Sequence, residues 1–334
     1  MSMTSAPVVD AAEPPSPTAG NQVPLTPGID TEESYETIQV SRIGGSLGAV
    51  ISGVDPRDDL TDQQFAEIHE ALLRHEVIFF RNVPMSAEAQ LELASRWGQP
   101  SIYPLQALMG VTEPQLSVIR DDADSLPTTD NWHTDVTWIE VPPKIALLQA
   151  LVVPPYGGDT MWCSITSAYD ALSEPMRAMI DGLELHHSNY PQYCTNMAEK
   201  SGSWDLVPLL REAYPGVNHP LVRTHPETGR RALYVATNFQ QYVVGLNEAE
   251  SAALLDFLMH HINQPRFHCR WSWTEGDLAI WDERSTNHRG VSDHYPEVRE
   301  IRRCTVDGDR PYFDPSVPHQ PKGIMMPRAA YQPQ

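Results

Sequence analysis

From Trp132 onward the sequence is patterned as short apolar stretches separated by Pro/Gly turns. Residues 145–153 and 278–281 are two such stretches, and residues 154–158 (PPYGG) form one of the turns. Short apolar runs bounded by turn residues are typical of strands, and several in succession indicate an antiparallel sandwich or barrel. The pattern therefore predicts a chain that is mainly β.

Helical patterns flank this β region. Thr61 with Gln64, and Asn247 with Glu250, have the spacing of a capping box, and apolar residues recur at helical spacing after each pair. The patterns predict helices over 62–75, from Ser86 to Trp97 and after Asn247, and strands at 38–43, 49–51 and 77–80.

The ends of the chain differ in composition from its centre. Residues 1–36 are rich in Pro, Ser, Thr and acids and contain no Lys or Arg, which predicts a disordered leader. We expect a single domain over 37–315, with an irregular insertion at about 166–232 that lies over one end of the β region. Residues 316–334 are expected to form a C-terminal tail.

Charge and cysteine usage exclude several function classes. A formal net charge of −21 repels polyphosphates, so a nucleic-acid partner is not expected, and an anionic substrate requires locally placed cations. The four cysteines form no C-x-x-C pair, which argues against a thiolate zinc site. No apolar run is long enough for a membrane helix. A cytoplasmic protein without a membrane partner is expected.

One pair of residues suggests a metal site. His133 and Asp135 lie two apart in a segment of β-like composition, so both side chains would project from one face. His288 follows a predicted late strand and its turn. Two histidines and one carboxylate leave adjacent positions open on iron(II). The alternative is that His133 is a hydrogen-bonded core histidine and Asp135 a turn residue.

Two arginines suggest bound anions. If residues 299–306 form a strand, Arg299, Ile301 and Arg303 share one face. Buried guanidinium groups require anionic partners, so two inward arginines would hold two anions, one of them a cosubstrate. The alternative is a solvated cluster that pairs with neighbouring acids such as Glu300.

Several blocks of this sequence resemble those of one enzyme family. The blocks are Asn131 to Pro143 (NWHTDVTWIEVPP), Gly157 to Trp162 (GGDTMW), Val222 to Pro226 (VRTHP) and Asp277 to His288 (DLAIWDERSTNH). In this order they resemble the taurine dioxygenase and 2,4-dichlorophenoxyacetate dioxygenase family, over about residues 38 to 314. The resemblance implies a double-stranded β-helix (jelly-roll, cupin-like) core with flanking helices. It also implies iron(II), 2-oxoglutarate as cosubstrate, O2, and often a homo-oligomer.

The same resemblance assigns roles to individual residues. His133, Asp135 and His288 match the metal positions, and Thr160 with Arg299 matches the pair that holds 2-oxoglutarate. Substrate-binding positions are expected at Arg303, which matches the substrate-anion arginine, and at Tyr103, Gln106, Thr129 and Val136. Tyr103, Gln106 and Thr129 stand where taurine enzymes have His, Tyr and Asn. This departure disfavours taurine itself.

The expected activity is oxidation of a small anionic substrate by hydroxylation, desaturation or ring rearrangement. The altered lining favours a carboxylated natural-product intermediate, as in pentalenolactone-type antibiotic biosynthesis. The catabolic alternative is a taurine, alkyl sulfate or aryloxyalkanoate dioxygenase. A zinc hydrolase or a cupin-like binding module would use the same three ligands but would gain nothing from Thr160 and Arg299.

Overall fold

A computed structural model describes residues 35–114 and 116–322. Its strands are β1 (Gln39–Arg42), β2 (Ala49–Ser52), β3 (Val77–Phe80), β4 (Ser117–Asp121), β5 (Ile145–Val152), β6 (Thr160–Ser164), β7 (Glu184–His187), β8 (Val217–Pro220), β9 (Val222–Thr224), β10 (Arg231–Leu233), β11 (Gln240–Val243), β12 (His268–Trp271), β13 (Leu278–Asp282), β14 (Thr286–Gly290) and β15 (Arg299–Val306). Its helices are α1 (Asp62–His75), α2 (Ala87–Ser95), α3 (Pro104–Leu108), α4 (Ile165–Asp170), α5 (Glu174–Ile180), α6 (Gln192–Ser201), α7 (Leu206–Ala213) and α8 (Glu248–Ile262), with a 3-10 turn at Pro265–Phe267.

Two sheets packed face to face form the centre of the molecule. The larger has the order β1-β2-β3-β13-β5-β15-β4 and is antiparallel except between β2 and β3, and the smaller has the order β12-β6-β14. Trp162 of the smaller sheet lies 5.2 Å from Phe79 and 5.6 Å from Trp281 of the larger, measured between ring centroids. This is the packing of a jelly roll, so the prediction of a mainly β jelly-roll core with flanking helices is confirmed.

The period of two along each strand separates the two faces of the larger sheet. Ala279 and Trp281 of β13 join the apolar layer between the sheets. Leu278 and Ile280 point the other way, into a second apolar cluster that includes residues of α1 and α2. The predicted capping boxes at Thr61 and Asn247 both form, at the starts of α1 and α8. The predicted N-terminal strands and helices are also present, within a few residues of the expected bounds.

The prediction that residues 166–232 are irregular is wrong. The segment contains the helices α5, α6 and α7 and most of α4, and the strands β7, β8 and β9 with the start of β10. Strands β7 and β8 pair with each other and β7 pairs with β11, so this region builds a sheet of its own. Its short elements lack a long apolar period, which is why the sequence did not reveal them. That the region is an insertion stays a prediction.

Residues near both ends of the described range pack against the rest of the domain. Of the predicted leader, residues 1–34 lie outside the described residues, and the main-chain N–H of Glu36 donates to Glu67 of α1. At the other end, Lys322 Nζ lies 2.8 Å from a carboxylate oxygen of buried Glu76. Residues 323–334 of the predicted tail lie outside the described range. Across 35–114 and 116–322, no helix has the length and apolar character to cross a membrane.

Candidate metal centre and substrate cavity

Three buried side chains converge at one end of the two-sheet core. His288 lies on β14, while His133 and Asp135 come from the loop between β4 and β5. Asp135 Oδ1 is 3.8 Å from His133 Nε2 and 3.9 Å from His288 Nε2. One potential ligand atom from each residue lies within 4.8 Å of the others. Two imidazoles and a carboxylate at this spacing can bind one divalent ion.

Main-chain pairing brings the loop to the strand. His133 and His288 exchange two main-chain hydrogen bonds, of 3.0 and 2.8 Å, which places their rings side by side. The expectation that residues 131–136 are strand-like is wrong beyond this single bridge, because the chain turns at Asp135. Val136 has φ +54°, a conformation that β-branched residues rarely adopt. The turn, and not a shared strand face, directs Asp135 toward the histidines.

The charge states of these residues suit metal binding. Burial lowers the pKa of His133 and holds the pKa of His288 well below its ordinary value, so both rings are neutral at pH 7. Burial acts to raise the pKa of Asp135, but the positive charge of Arg303 outweighs it and the pKa is lowered. His133 Nδ1 lies 2.7 Å from the carbonyl oxygen of Asn131, which favours the tautomer with Nε2 free.

A buried carboxylate lies behind the three ligands. Glu283 Oε2 accepts a 3.0 Å hydrogen bond from the main-chain N–H of Asp135, and Oε1 accepts a 2.8 Å bond from Trp281 Nε1. Burial and the charge of Asp135 raise the pKa of Glu283 well above its ordinary value. A divalent ion at the neighbouring site would act in the opposite direction and favour the ionised form.

Thr160 and Arg299 line a cavity that also includes His133 and His288. Arg299 donates to the Gly158 carbonyl oxygen (2.8 Å) and to Thr160 Oγ1 (3.1 Å). Its contact with the carboxylate of Asp121 is long, at 3.9 Å. Burial lowers the pKa of Arg299, which reflects the cost of a desolvated charge. A carboxylate ligand would supply the close anionic partner that this guanidinium lacks among the described residues.

Arg303 lies four residues beyond Arg299 on β15 and lines both this cavity and a second one. Its Nη1 is 3.0 Å from Asp135 Oδ2, and its guanidinium lies 5.5 Å from the ring centroid of Tyr103. The Tyr103 hydroxyl donates to the Tyr193 hydroxyl at 2.6 Å. A cavity of about 250 Å³ opens here, and its wall includes Arg303, Tyr103, Thr129 and Val136. Arg299, Ile301 and Arg303 therefore share an inward face of β15, as predicted.

Comparison with known proteins identifies the chain. Residues 39–305 match the model of the family described as "Taurine catabolism dioxygenase TauD, TfdA family". The chain belongs to the TauD/TfdA family. Members of this family are 2-oxoglutarate-dependent dioxygenases that use iron(II) and O2, so the predictions of enzyme class and cofactors are confirmed.

Relatives of this TauD/TfdA protein carry informative names. An "Alkylsulfatase" of Acinetobacter baylyi is 32% identical, covering 82% of this chain and 86% of its own. An "Alpha-ketoglutarate-dependent sulfate ester dioxygenase" of Pseudomonas putida is 34% identical, covering 82% and 91%. The crystal structure of a taurine dioxygenase from Burkholderia xenovorans is 34% identical and superposes with a TM-score of 0.70, covering 86% and 99%.

The residues of this TauD/TfdA chain fit iron and 2-oxoglutarate. The donors are two neutral imidazoles and an ionised carboxylate, a set typical of iron(II) oxygenases. Among the described residues this is the one cluster of three His, Cys, Asp or Glu side chains that meets the geometry for a metal ion. The buried and weakly paired Arg299 suits the distal carboxylate of the cosubstrate.

The structure brings together most, but not all, of the expected substrate residues. Gln106 lies on α3 and is not among the residues that line the cavity. The sequence reasoning missed one wall, which α6 supplies through Gln192, Tyr193, Asn196 and Met197, and which Asn238 and Phe239 extend. The spacing of the α6 residues is helical, but nothing in the sequence indicates that this face meets the metal site.

Proposed function

We propose that this TauD/TfdA protein oxidises a monoanionic organic substrate at the carbon next to its anionic group, with organic sulfate esters as the favoured class. The observation that carries this proposal is the position of Arg303, a single guanidinium beside the metal ligands in a cavity with a largely apolar and aromatic wall. The biosynthetic interpretation has no support from the relatives, whose names favour the catabolic alternative.

The residues that line the cavity favour a substrate with an apolar body. Tyr103, Val136, Met197 and Phe239 contribute apolar surface, and Asp135, the acidic residue on this wall, faces the metal site. The amide side chains of Gln192, Asn196 and Asn238 on this wall carry no charge, whereas a taurine-like ammonium group is best matched by a carboxylate. An alkyl or aryl chain needs only exclusion of water, which this wall provides.

Each group of the site then has a defined task. Arg303 would bind the substrate anion and set which carbon faces the metal, and the pair of Tyr103 and Tyr193 would offer a further hydrogen bond to that anion. Arg299 and Thr160 would hold the distal carboxylate of 2-oxoglutarate. Iron(II) with 2-oxoglutarate and O2, once bound, supplies the oxidising power that removes a hydrogen atom from carbon.

The net reaction balances for a sulfate ester. One oxygen atom of O2 enters the substrate C–H bond next to the ester oxygen, and the other enters succinate as 2-oxoglutarate loses CO2. The hydroxylated carbon then carries both a hydroxyl and a sulfate group. Cleavage of its bond to the sulfate oxygen gives an aldehyde, inorganic sulfate and a proton.

A substrate panel tests the proposal. Purified protein with Fe(II), 2-oxoglutarate and O2 would be supplied with linear alkyl sulfates, taurine and an aryloxyacetate, and succinate would be measured together with sulfate, sulfite or phenol. We expect sulfate equimolar with succinate, and a kcat/KM for an alkyl sulfate at least tenfold above that for taurine. Fastest turnover of taurine, or phenol release as the main reaction, would contradict the sulfate ester class.

A further inference from the structure

We propose that Glu283 is a positioning residue of the metal centre, which holds Asp135 through its main-chain amide and His288 through its ring Nδ1, and thereby sets the affinity for the metal. Glu283 itself does not belong to the cluster of candidate ligands. The proposal concerns the metal centre alone and does not depend on which substrate class the enzyme oxidises.

Glu283 is held rigidly. It directly follows β13, is fully buried, and its main-chain N–H donates to the Lys144 carbonyl oxygen at 2.9 Å. Its Oε1 accepts from Trp281 Nε1 at 2.8 Å, and the Trp281 ring packs on the His288 ring with centroids 4.9 Å apart. A carboxylate fixed in this way has little freedom to follow a displaced ligand, so it can define the ligand's position.

The hydrogen bond from Asp135 to Glu283 fixes the loop between β4 and β5 next to its strained residue, Val136. Glu283 Oε2 accepts the Asp135 main-chain N–H at 3.0 Å, and the next residue, Val136, has φ +54°. A β-branched residue in this region costs about 1–3 kcal/mol and persists only when surrounding contacts enforce it. The Glu283 contact is one of those contacts, and it acts on the residue that supplies the only carboxylate of the ligand cluster.

The contact with His288 is incomplete without a metal. His288 Nδ1 is buried and has no hydrogen-bond partner within residues 35–114 and 116–322, and Glu283 Oε2 lies 4.0 Å from it. When a metal binds Nε2, the proton of a neutral imidazole resides on Nδ1, which then becomes a donor. Metal-bound histidines commonly donate this proton to a carboxylate, which fixes the ring and raises its basicity. Glu283 is placed to accept it.

The residues on either side of Glu283 serve a different purpose. Asp282 and Arg284 point to the opposite side of the strand end, where they bind each other at 2.7 Å and Asp282 also lies 3.0 Å from His225. Glu283 therefore faces the metal centre by the alternation of the chain, and not as part of this ion-pair network.

The test compares Glu283→Gln with Asp277→Asn. Both oxygens of Glu283 accept N–H groups, so the amide of Gln must direct its NH2 at a donor whichever way it turns. Asp277 is a buried carboxylate at the other end of β13 that accepts from the main-chain N–H groups of Asn82 and Thr274 and pairs with the guanidinium of Arg81. Its replacement controls for the loss of a buried carboxylate away from the metal.

The readout is the dissociation constant for Mn²⁺, measured by calorimetry on metal-free protein at a temperature where every variant is folded. We expect E283Q to bind Mn²⁺ about 10- to 100-fold more weakly than the parent, and D277N to bind it within about twofold. Unchanged Mn²⁺ affinity in E283Q, or equal losses in both variants, would overturn the proposal. If E283Q does not fold, Glu283→Asp, which keeps the charge but withdraws it by one methylene, must still show the weakened affinity.

Discussion

Two adjacent arginines on β15 have opposite environments, although the sequence presents them as one basic cluster. Arg303 faces the metal site, with Nη1 3.0 Å from Asp135 Oδ2. Arg302 faces α2, where it donates to Gln90 Oε1 at 2.7 Å and to the Met85 carbonyl oxygen at 2.6 Å. The alternation of a strand produces this difference, and it provides a matched pair of variants.

We expect Arg303→Gln to reduce kcat/KM for the anionic substrate by about 10- to 100-fold, because removal of a charge-assisted hydrogen bond costs about 1.5–3 kcal/mol. The KM for 2-oxoglutarate should change less than this, because the pair of Arg299 and Thr160 is retained. Steady-state kinetics with succinate as the measured product checks both values. Arg302→Gln is the control, and an equal loss of kcat/KM in that variant would show that the effect is structural.

Arg299 begins the same strand, and we propose that it binds 2-oxoglutarate. We expect Arg299→Lys to raise the dissociation constant of 2-oxoglutarate by about tenfold or more, because the ammonium keeps the charge but loses the forked geometry. Titration of the anaerobic Fe(II) protein, followed by its visible charge-transfer band, measures this constant. A parent-like constant would argue against Arg299 as the carboxylate partner.

At the scale of elements, helix α6 forms a wall of the substrate cavity that no sequence pattern indicated. Tyr193 at its start shares a 2.6 Å hydrogen bond with Tyr103, and both rings lie near Arg303. Burial raises the pKa of both phenols, so both remain protonated donors at neutral pH. Under the proposed function, this helix would contribute to substrate selection from a region that the sequence presented as irregular.

We expect Tyr193→Ala to raise the KM for the substrate by about fivefold or more and to change the preferred chain length, because a buried aromatic wall is removed. Affinity for 2-oxoglutarate should be unchanged, since Tyr193 does not line the end of the cavity that contains Arg299. KM values across an alkyl sulfate series provide the measurement. Thr195→Ala on the same helix, outside the cavity wall, should behave as the parent.

At the scale of the whole molecule, the last described residues pack against the end of the first helix. Lys322 reaches Glu76, which ends α1 with a left-handed conformation, and His319 lies 2.6 Å from Asp170 at the end of α4. These contacts join the last described residues to two distant parts of the domain. These contacts bury the ammonium group of Lys322, so the free energy of unfolding depends on pH.

Burial lowers the pKa of Lys322 to about 8, although the charge of Glu76 acts to raise it. The unfolded chain holds this proton up to about pH 10.5, so between pH 8 and 10.5 the unfolded state binds more protons and stability rises with pH. Relative to Lys322→Met, we expect the parent to gain up to about 3 kcal/mol across this window. Urea unfolding at pH 7.5, 9 and 10.5 measures it, and parallel pH profiles would contradict the assignment.

The sequence alone determined those features that depend on local pattern. The capping boxes, the strands at 77–80 and 278–281, and the parity that turns Arg299 and Arg303 inward follow from periods of 3.6 and 2, which are properties of neighbouring residues. The family blocks likewise predict His133, Asp135 and His288 as the metal positions.

Only the tertiary structure decided which distant segments meet. The turn that directs Asp135, the approach of α6 to the cavity and the place of Glu283 behind the ligands all depend on contacts between residues far apart in the chain. Gln106, expected in the substrate wall, lies on α3 away from it for the same reason. Periodicity specifies the face that a residue occupies, whereas packing of the sheets and helices specifies what that face touches.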